Sequence, residues 1–144
     1  MNILIAEDEQ DIRELLQINL LKEGYTVYQA EDGEVALKMF EENKIDLVIL
    51  DIMMPKVDGF KVIKNIRKTS NVPVIFITAR GEDADKVLGL GLGADDYIVK
   101  PFSPMEIIAR IQAIFRRIKA YSNGYDGNIG NTQYKNGELK LDKV

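Results

Sequence analysis

Residues 45–59 read IDLVILDIMMPKVDG. Ile45, Leu47, Val48, Ile49 and Leu50 form an apolar run interrupted only by Asp46. The run is short and continuously hydrophobic, which is how a strand buried on both faces of a parallel sheet reads. Asp51 follows at once. Pro55, after Met53 and Met54, has no N–H to donate and ends further ladder pairing. In an open α/β sheet, ligands bind just beyond the carboxyl ends of the strands. Asp51 therefore stands where such a sheet does its chemistry. A solitary aspartate there usually does no more than cap a loop, so the rest of the chain must decide its role.

A chain of 144 residues suits one domain of ordinary size with a short remainder. Hydrophobic residues make up 46%, enough for a full core, and no run is long and apolar enough to span a bilayer. Met1-Asn2-Ile3-Leu4-Ile5 has neither a basic region nor a cleavage site, so a cytoplasmic protein with no membrane partner is expected. The absence of Cys excludes disulfides and thiolate metal sites. The absence of His removes imidazole acid–base chemistry and the commonest zinc ligand. Nineteen basic against 23 acidic residues give a net charge of −4, which argues against a nucleic-acid surface on this part of the chain.

Residues 2–6 read as a buried strand running into Glu7, Asp8 and Glu9. Ile12, Leu15, Leu16, Asn19 and Leu20 recur at helical spacing, and Gly24 is placed to end that helix. Residues 26–30 are a second strand. Asp32 can cap a helix whose inward stripe is Val35, Ala36, Met39 and Phe40. A third helix, from Gly59 to about Arg67, carries Phe60, Ile63 and Ile66 on one face. Residues 74–77 form a fourth strand that ends at Thr78. Residues 83–93 are helical by pattern, but interior Gly89 and Gly91 each cost roughly 1 kcal/mol against Ala, so this fourth helix is expected to be the least stable. Residues 96–99 form a fifth strand ending at Lys100-Pro101. Ser103-Pro104-Met105-Glu106 combines an N-cap, a proline at the first helical position and a capping-box Glu. The fifth helix begun there is expected to bury Ile107, Ile108, Ile111, Phe115 and Ile118.

Five strand–helix alternations imply an α/β fold, a doubly wound parallel (βα)5 sheet with helices on both faces. Right-handed crossovers restrict the strand order, and the flavodoxin-like 2-1-3-4-5 is expected. Residues 1–119 then form the domain. Residues 120–131, rich in Gly, Asn, Ser and Tyr, have the composition of a linker. Residues 132–144 begin a second, truncated domain; 134–142 look extended, with Asn136-Gly137 as a turn.

That order brings Glu7, Asp8 and Asp51 together from neighbouring strand ends, with Thr78 and Lys100 opposite. Three carboxylates in one crevice repel unless a cation joins them. With only hard oxygen ligands available, Mg²⁺ is the natural guest, with Mn²⁺ as the alternative. A carboxylate beside such a cation can attack phosphorus and form an acyl phosphate. Lys100 would neutralise phosphoryl oxygens and the Thr78 hydroxyl would donate to one of them.

Glu7-Asp8, Asp51 with Met53-Met54-Pro55, Thr78-Ala79 and Lys100-Pro101-Phe102 resemble, in that order, bacterial two-component response-regulator receiver domains over residues 2 to about 119. The resemblance implies Asp51 as phosphoacceptor from the phosphohistidine of a sensor histidine kinase. It implies Mg²⁺ on Asp8, Asp51 and the Met53 carbonyl, with Glu7 helping through water. Thr78 and Tyr97 would be the switch pair, and the Lys100–Pro101 bond would be cis. Gly93-Ala94-Asp95-Asp96-Tyr97, with Ala109-Arg110 and Arg116-Arg117, is similar to the OmpR/PhoB-type subfamily. That implies a homodimer through the fourth helix, fifth strand and fifth helix. Lys86 would pair with Glu106, Asp96 with Arg110, and Asp95 would reach towards Arg116 or Arg117. It also implies that residues 134–142 begin a winged-helix DNA-binding domain, the only route to DNA.

Gly89-Leu90-Gly91-Leu92-Gly93-Ala94 fits a dinucleotide-binding pattern in form, but it follows a helix and precedes a strand, the reverse of what that motif needs. Two rivals stand beside the regulator. One is a Mg-dependent phosphohydrolase using Asp51 as a transient aspartyl-phosphate nucleophile; enzymes resembling haloacid dehalogenases carry a second Asp two residues on, where this chain has Met53. The other is a phosphorylation-independent dimerisation module.

Overall fold

The computed structural model describes residues 1–79 and 91–129, with backbone alone over 121–129. The strands are β1 (Asn2–Ala6), β2 (Thr26–Ala30), β3 (Leu47–Asp51), β4 (Val74–Thr78) and β5 (Asp96–Val99). Helices α1 (Gln10–Lys22), α2 (Gly33–Glu42) and α3 (Gly59–Arg67) connect the first four, and a C-terminal helix spans Pro104–Ile129. All strand pairings are parallel, in the order β2-β1-β3-β4-β5. The expected flavodoxin-like α/β sheet is therefore the fold.

Every residue of β3 and β4 is buried, as their unbroken apolar composition requires. Side chains alternate across a strand. Leu4, Ala6, Val48, Leu50, Val74 and Phe76 join one cluster with Ala36 of α2 and Val62, Ile63 and Ile66 of α3. These two helices cover that face of the sheet. Leu16 and Leu20 of α1, which packs on β1 and β2, are buried outside this cluster.

The helix starts follow local chemistry. The Asp32 carboxylate accepts the Val35 N–H at 2.8 Å, Asp58 accepts the Lys61 N–H at 3.0 Å, and the Ser103 hydroxyl accepts the Glu106 N–H at 3.1 Å. Gly24 ends α1 with φ +89, a backbone conformation that glycine adopts without Cβ crowding.

The details differ from the expected stripes. Leu15 is 43% exposed, and Ile118 is 45% exposed while Ile114 is buried. The C-terminal helix runs through Ile129, into the segment whose composition reads as a linker. Elongating a nucleated helix by one residue is far easier than starting one, so a good N-terminus can carry it into weak sequence. The compact units part between Ile108 and Ala109. The expected fourth helix lies largely outside the described residues, as do Lys86 and the extended segment 134–142.

Candidate functional site

Parallel register puts Ala6 beside Leu50, so Glu7 and Asp8 leave β1 next to Asp51 at the end of β3. Asp51 lies beside Ile77 and Thr78 beside Val99, so Thr78 and Lys100 stand at the same edge of the sheet. Carboxylate oxygens of Glu7, Asp8 and Asp51 all lie within 4.8 Å of one another. Glu7 and Asp51 are buried and Asp8 is exposed, so the cluster opens to solvent on one side.

Lys100 sits against this cluster. Its Nζ donates to Asp51 Oδ2 at 3.0 Å and lies 3.0 Å from Glu7 Oε1 and 3.8 Å from Glu9 Oε2. Asp51 Oδ1 accepts the Met53 N–H at 3.1 Å. Glu7 Oε2 accepts the Glu9 N–H at 3.0 Å. Glu7 Oε1 has Lys100 as an ion-pair neighbour but no hydrogen bond of proper geometry, and it is the buried side-chain oxygen left without one among the described residues.

Burial drives the Glu7 carboxyl up from 4.5 to about 7. The Glu9 N–H opposes this, the Asp51 charge adds to it, and Lys100 pulls it down. Burial also works to lower the Lys100 ammonium, but its contacts with Asp51 and Glu7 outweigh that and hold it above its usual value. With all three carboxylates ionised, the cluster carries two more negative charges than its lysine balances.

Three clustered carboxylates, the buried Glu7 Oε1 among them with the Lys100 ammonium as its ion-pair neighbour, fit a hard divalent cation. No described imidazole or thiolate competes, because the chain has neither His nor Cys.

Other expected residues are placed as follows. Thr78 is fully buried, and the Tyr97 ring meets Phe76 edge-on at 6.5 Å between centroids. Met53 is 56% exposed beside the cluster. The Lys100–Pro101 bond is cis. Asp95 Oδ2 accepts the Val74 N–H at 2.8 Å and lies 3.5 Å from Arg67 of the same chain. Asp96 Oδ1 accepts the Tyr97 N–H. Glu106 is exposed in the first turn of the C-terminal helix, with Arg110, Arg116 and Arg117 farther along it.

Sequence reasoning missed two supports of the site. Arg13 of α1 donates to the Glu7 carbonyl at 2.8 Å and to Gln29 Oε1 at 3.2 Å, fixing the backbone that carries the acidic pair. At Gly59 a Cβ would stand 2.5 Å from the Asp51 carbonyl oxygen, so only glycine lets α3 start this close to the acceptor strand. The glycine closing the residue 45–59 stretch was the available signal for the second. The first had none.

A family model described as response regulator receiver domain matches residues 3–112. The chain is 51% identical to the probable transcriptional regulator ycf27 of Cyanidium caldarium over 144 residues, 98% of this chain and 57% of that protein. It is 49% identical to the alkaline phosphatase synthesis transcriptional regulatory protein PhoP of Bacillus subtilis, over 96% of this chain and 59% of that protein. It thus spans little more than half the length of these relatives. Among solved structures, a two-component response regulator from Clostridium difficile superposes with a TM-score of 0.80 at 31% identity, covering 82% of this chain and 98% of that one. The BeF3-activated N-terminal receiver domain of Klebsiella pneumoniae RstA gives 0.75 at 31% identity, covering 78% and 97%. No helix among the described residues is long and apolar enough to cross a membrane.

Proposed function

The chain belongs to the response regulator receiver domain family, in its OmpR/PhoB-type branch, and on that premise we propose that Asp51 is a phosphoacceptor for a sensor histidine kinase. The observation that carries the proposal is the meeting of Asp51 with Lys100 at 3.0 Å inside a cluster of carboxylates. A carboxylate oxygen of Asp51 attacks phosphorus, the bond from phosphorus to the kinase imidazole breaks, and an acyl phosphate forms.

Lys100, held charged by two buried carboxylates, is the cation ready to move from Asp51 to an incoming phosphoryl oxygen. The Thr78 hydroxyl is the neutral donor at the next strand end. Mg²⁺, or Mn²⁺, held by Glu7, Asp8, Asp51 and the Met53 carbonyl would supply the remaining positive charge. Thr78 and Tyr97 would relay phosphorylation along β4 and β5. Output would be a homodimer using Lys86, Asp95, Asp96, Glu106, Arg110, Arg116 and Arg117, and DNA would be reached through a further domain. Within one chain Asp95 already serves Val74 and Arg67, so a partner's arginine must share or displace Arg67.

The test is intact-mass analysis after incubation with Mg²⁺ and a small acyl-phosphate donor. A phosphate-sized gain that is absent in Asp51→Asn and slow to decay supports the regulator. Rapid turnover of phosphate esters would point to the hydrolase, and no gain to a passive dimerisation module.

A further inference from the structure

The loop from Ile52 to Asp58 joins the acceptor strand to α3, and its middle is held from outside. Lys56 has φ +68, the non-glycine residue with positive φ among those described. The Val57 N–H donates to the Pro55 carbonyl at 2.8 Å, so Lys56 is the centre of a three-residue γ-turn. This handedness of γ-turn is rare and strained, and such strain persists only where surrounding structure enforces it.

The start of α2 lies directly against this turn. A Cβ on Gly33 would overlap the Val57 carbonyl oxygen and stand 2.7 Å from the Val57 carbonyl carbon and Cβ. Beside that contact, Lys56 Nζ lies 3.7 Å from Asp32 Oδ2 and 3.6 Å from Glu34 Oε1. Lys56 is well exposed, so these ion pairs are weak, and the backbone contact is the stronger constraint. On the site side the same loop gives Asp51 Oδ1 the Met53 N–H, and it is closed by the Gly59 N–H on the Ile52 carbonyl at 2.9 Å.

We infer that Gly33 and Lys56 are positioning residues: the γ-turn drives the Val57 carbonyl onto Gly33, and this contact sets the loop that presents Asp51 and Met53 to a divalent cation. The inference rests on the reading of Glu7, Asp8 and Asp51 as a cation site in a phosphoacceptor. It needs no contact between Gly33 or Lys56 and the ion.

Three variants test it: Gly33→Ala fills the contact, Lys56→Val forbids the positive φ, and Lys56→Gly keeps the turn while deleting the charge. Mg²⁺ affinity is measured by calorimetry, and exchange of the Val57 and Gly59 amides is followed in metal-free protein. Gly33→Ala and Lys56→Val should each weaken Mg²⁺ binding by about tenfold, as loss of a supporting contact typically does. They should also speed exchange of both amides, while the phosphorylation rate recovers at saturating Mg²⁺. Lys56→Gly should bind as the parent does. Should Gly33→Ala fail to fold, Lys56→Val, in an exposed turn, carries the test alone. Parental affinity and exchange in Lys56→Val would overturn the inference, as would equal losses in Lys56→Gly and Lys56→Val. Wild-type protein that binds no Mg²⁺ at all would instead refute the underlying site.

Discussion

Lys100 Nζ stands 3.0 Å from Asp51 Oδ2 and 3.0 Å from Glu7 Oε1, so a single ammonium holds together two buried carboxylates from different strands. Removing one partner of a buried ion pair leaves the others uncompensated, which costs about 3–5 kcal/mol where no relief is available. Here Glu7 can take up a proton. Lys100→Ala should therefore lose about 3 kcal/mol at about pH 8 and less at about pH 5, in urea unfolding at both values. Equal losses at the two pH values would mean that the pairing does not govern Glu7.

The folded-state Glu7 carboxyl, raised from 4.5 to about 7, makes the metal-free domain sensitive to pH. Between those values the folded chain holds a proton that the unfolded chain has released. Stability from this group is thus fully present below about 4.5 and is lost as pH rises through about 7. Glu7→Gln removes the ionisation. Relative to the variant, wild type should weaken by the order of 2–3 kcal/mol from about pH 5 to about pH 8. Urea midpoints for both proteins measure this, and a wild type that gains on its variant with rising pH would contradict it.

Cation binding should reverse that weakness. Mg²⁺ at a hundredfold over its dissociation constant adds about 2.7 kcal/mol through binding the folded state alone. The melting temperature should rise with Mg²⁺, fall back with a chelator, and rise more at about pH 8 than at about pH 5, because protons compete for Glu7. Asp8 is exposed, so Asp8→Asn should fold normally yet show little Mg²⁺-dependent shift.

Much of the architecture was legible because β3 and β4 are apolar up to their last residues, Asp51 and Thr78, and crossover rules restrict the strand order. Helix faces were less so. Helix α1 carries Leu15, Ile18 and Leu21 exposed alongside buried Leu16 and Leu20, so its apolar spacing overstates what it buries. The C-terminal helix passes Gly124 and Gly127, where composition alone reads as a linker. At the site, residue types and strand ends were enough to assemble Glu7, Asp8, Asp51, Thr78 and Lys100. Arg13 on the Glu7 carbonyl and Val57 on Gly33 were not legible. Both depend on where a backbone carbonyl points in three dimensions, and no residue pattern encodes that.

Gly59 offers a test of the close approach between the acceptor strand and α3. A Cβ there would stand 2.5 Å from the Asp51 carbonyl oxygen and 2.8 Å from the Ile52 Cα, both backbone atoms that cannot swing aside. Gly59→Ala should destabilise by about 2–3 kcal/mol, towards the upper end for overpacking. Thermal unfolding checks this; a neutral effect would mean that the loop yields easily.

The most direct measurement locates the new bond. After reaction with Mg²⁺ and an acyl-phosphate donor, borohydride reduces an aspartyl phosphate to homoserine, which peptide mass spectrometry assigns to a position. Homoserine at position 51, and at no other acidic residue, is the expected result. Conversion at Asp8 or another carboxylate with position 51 intact, or no conversion in protein that binds Mg²⁺, would contradict Asp51 as the phosphoacceptor.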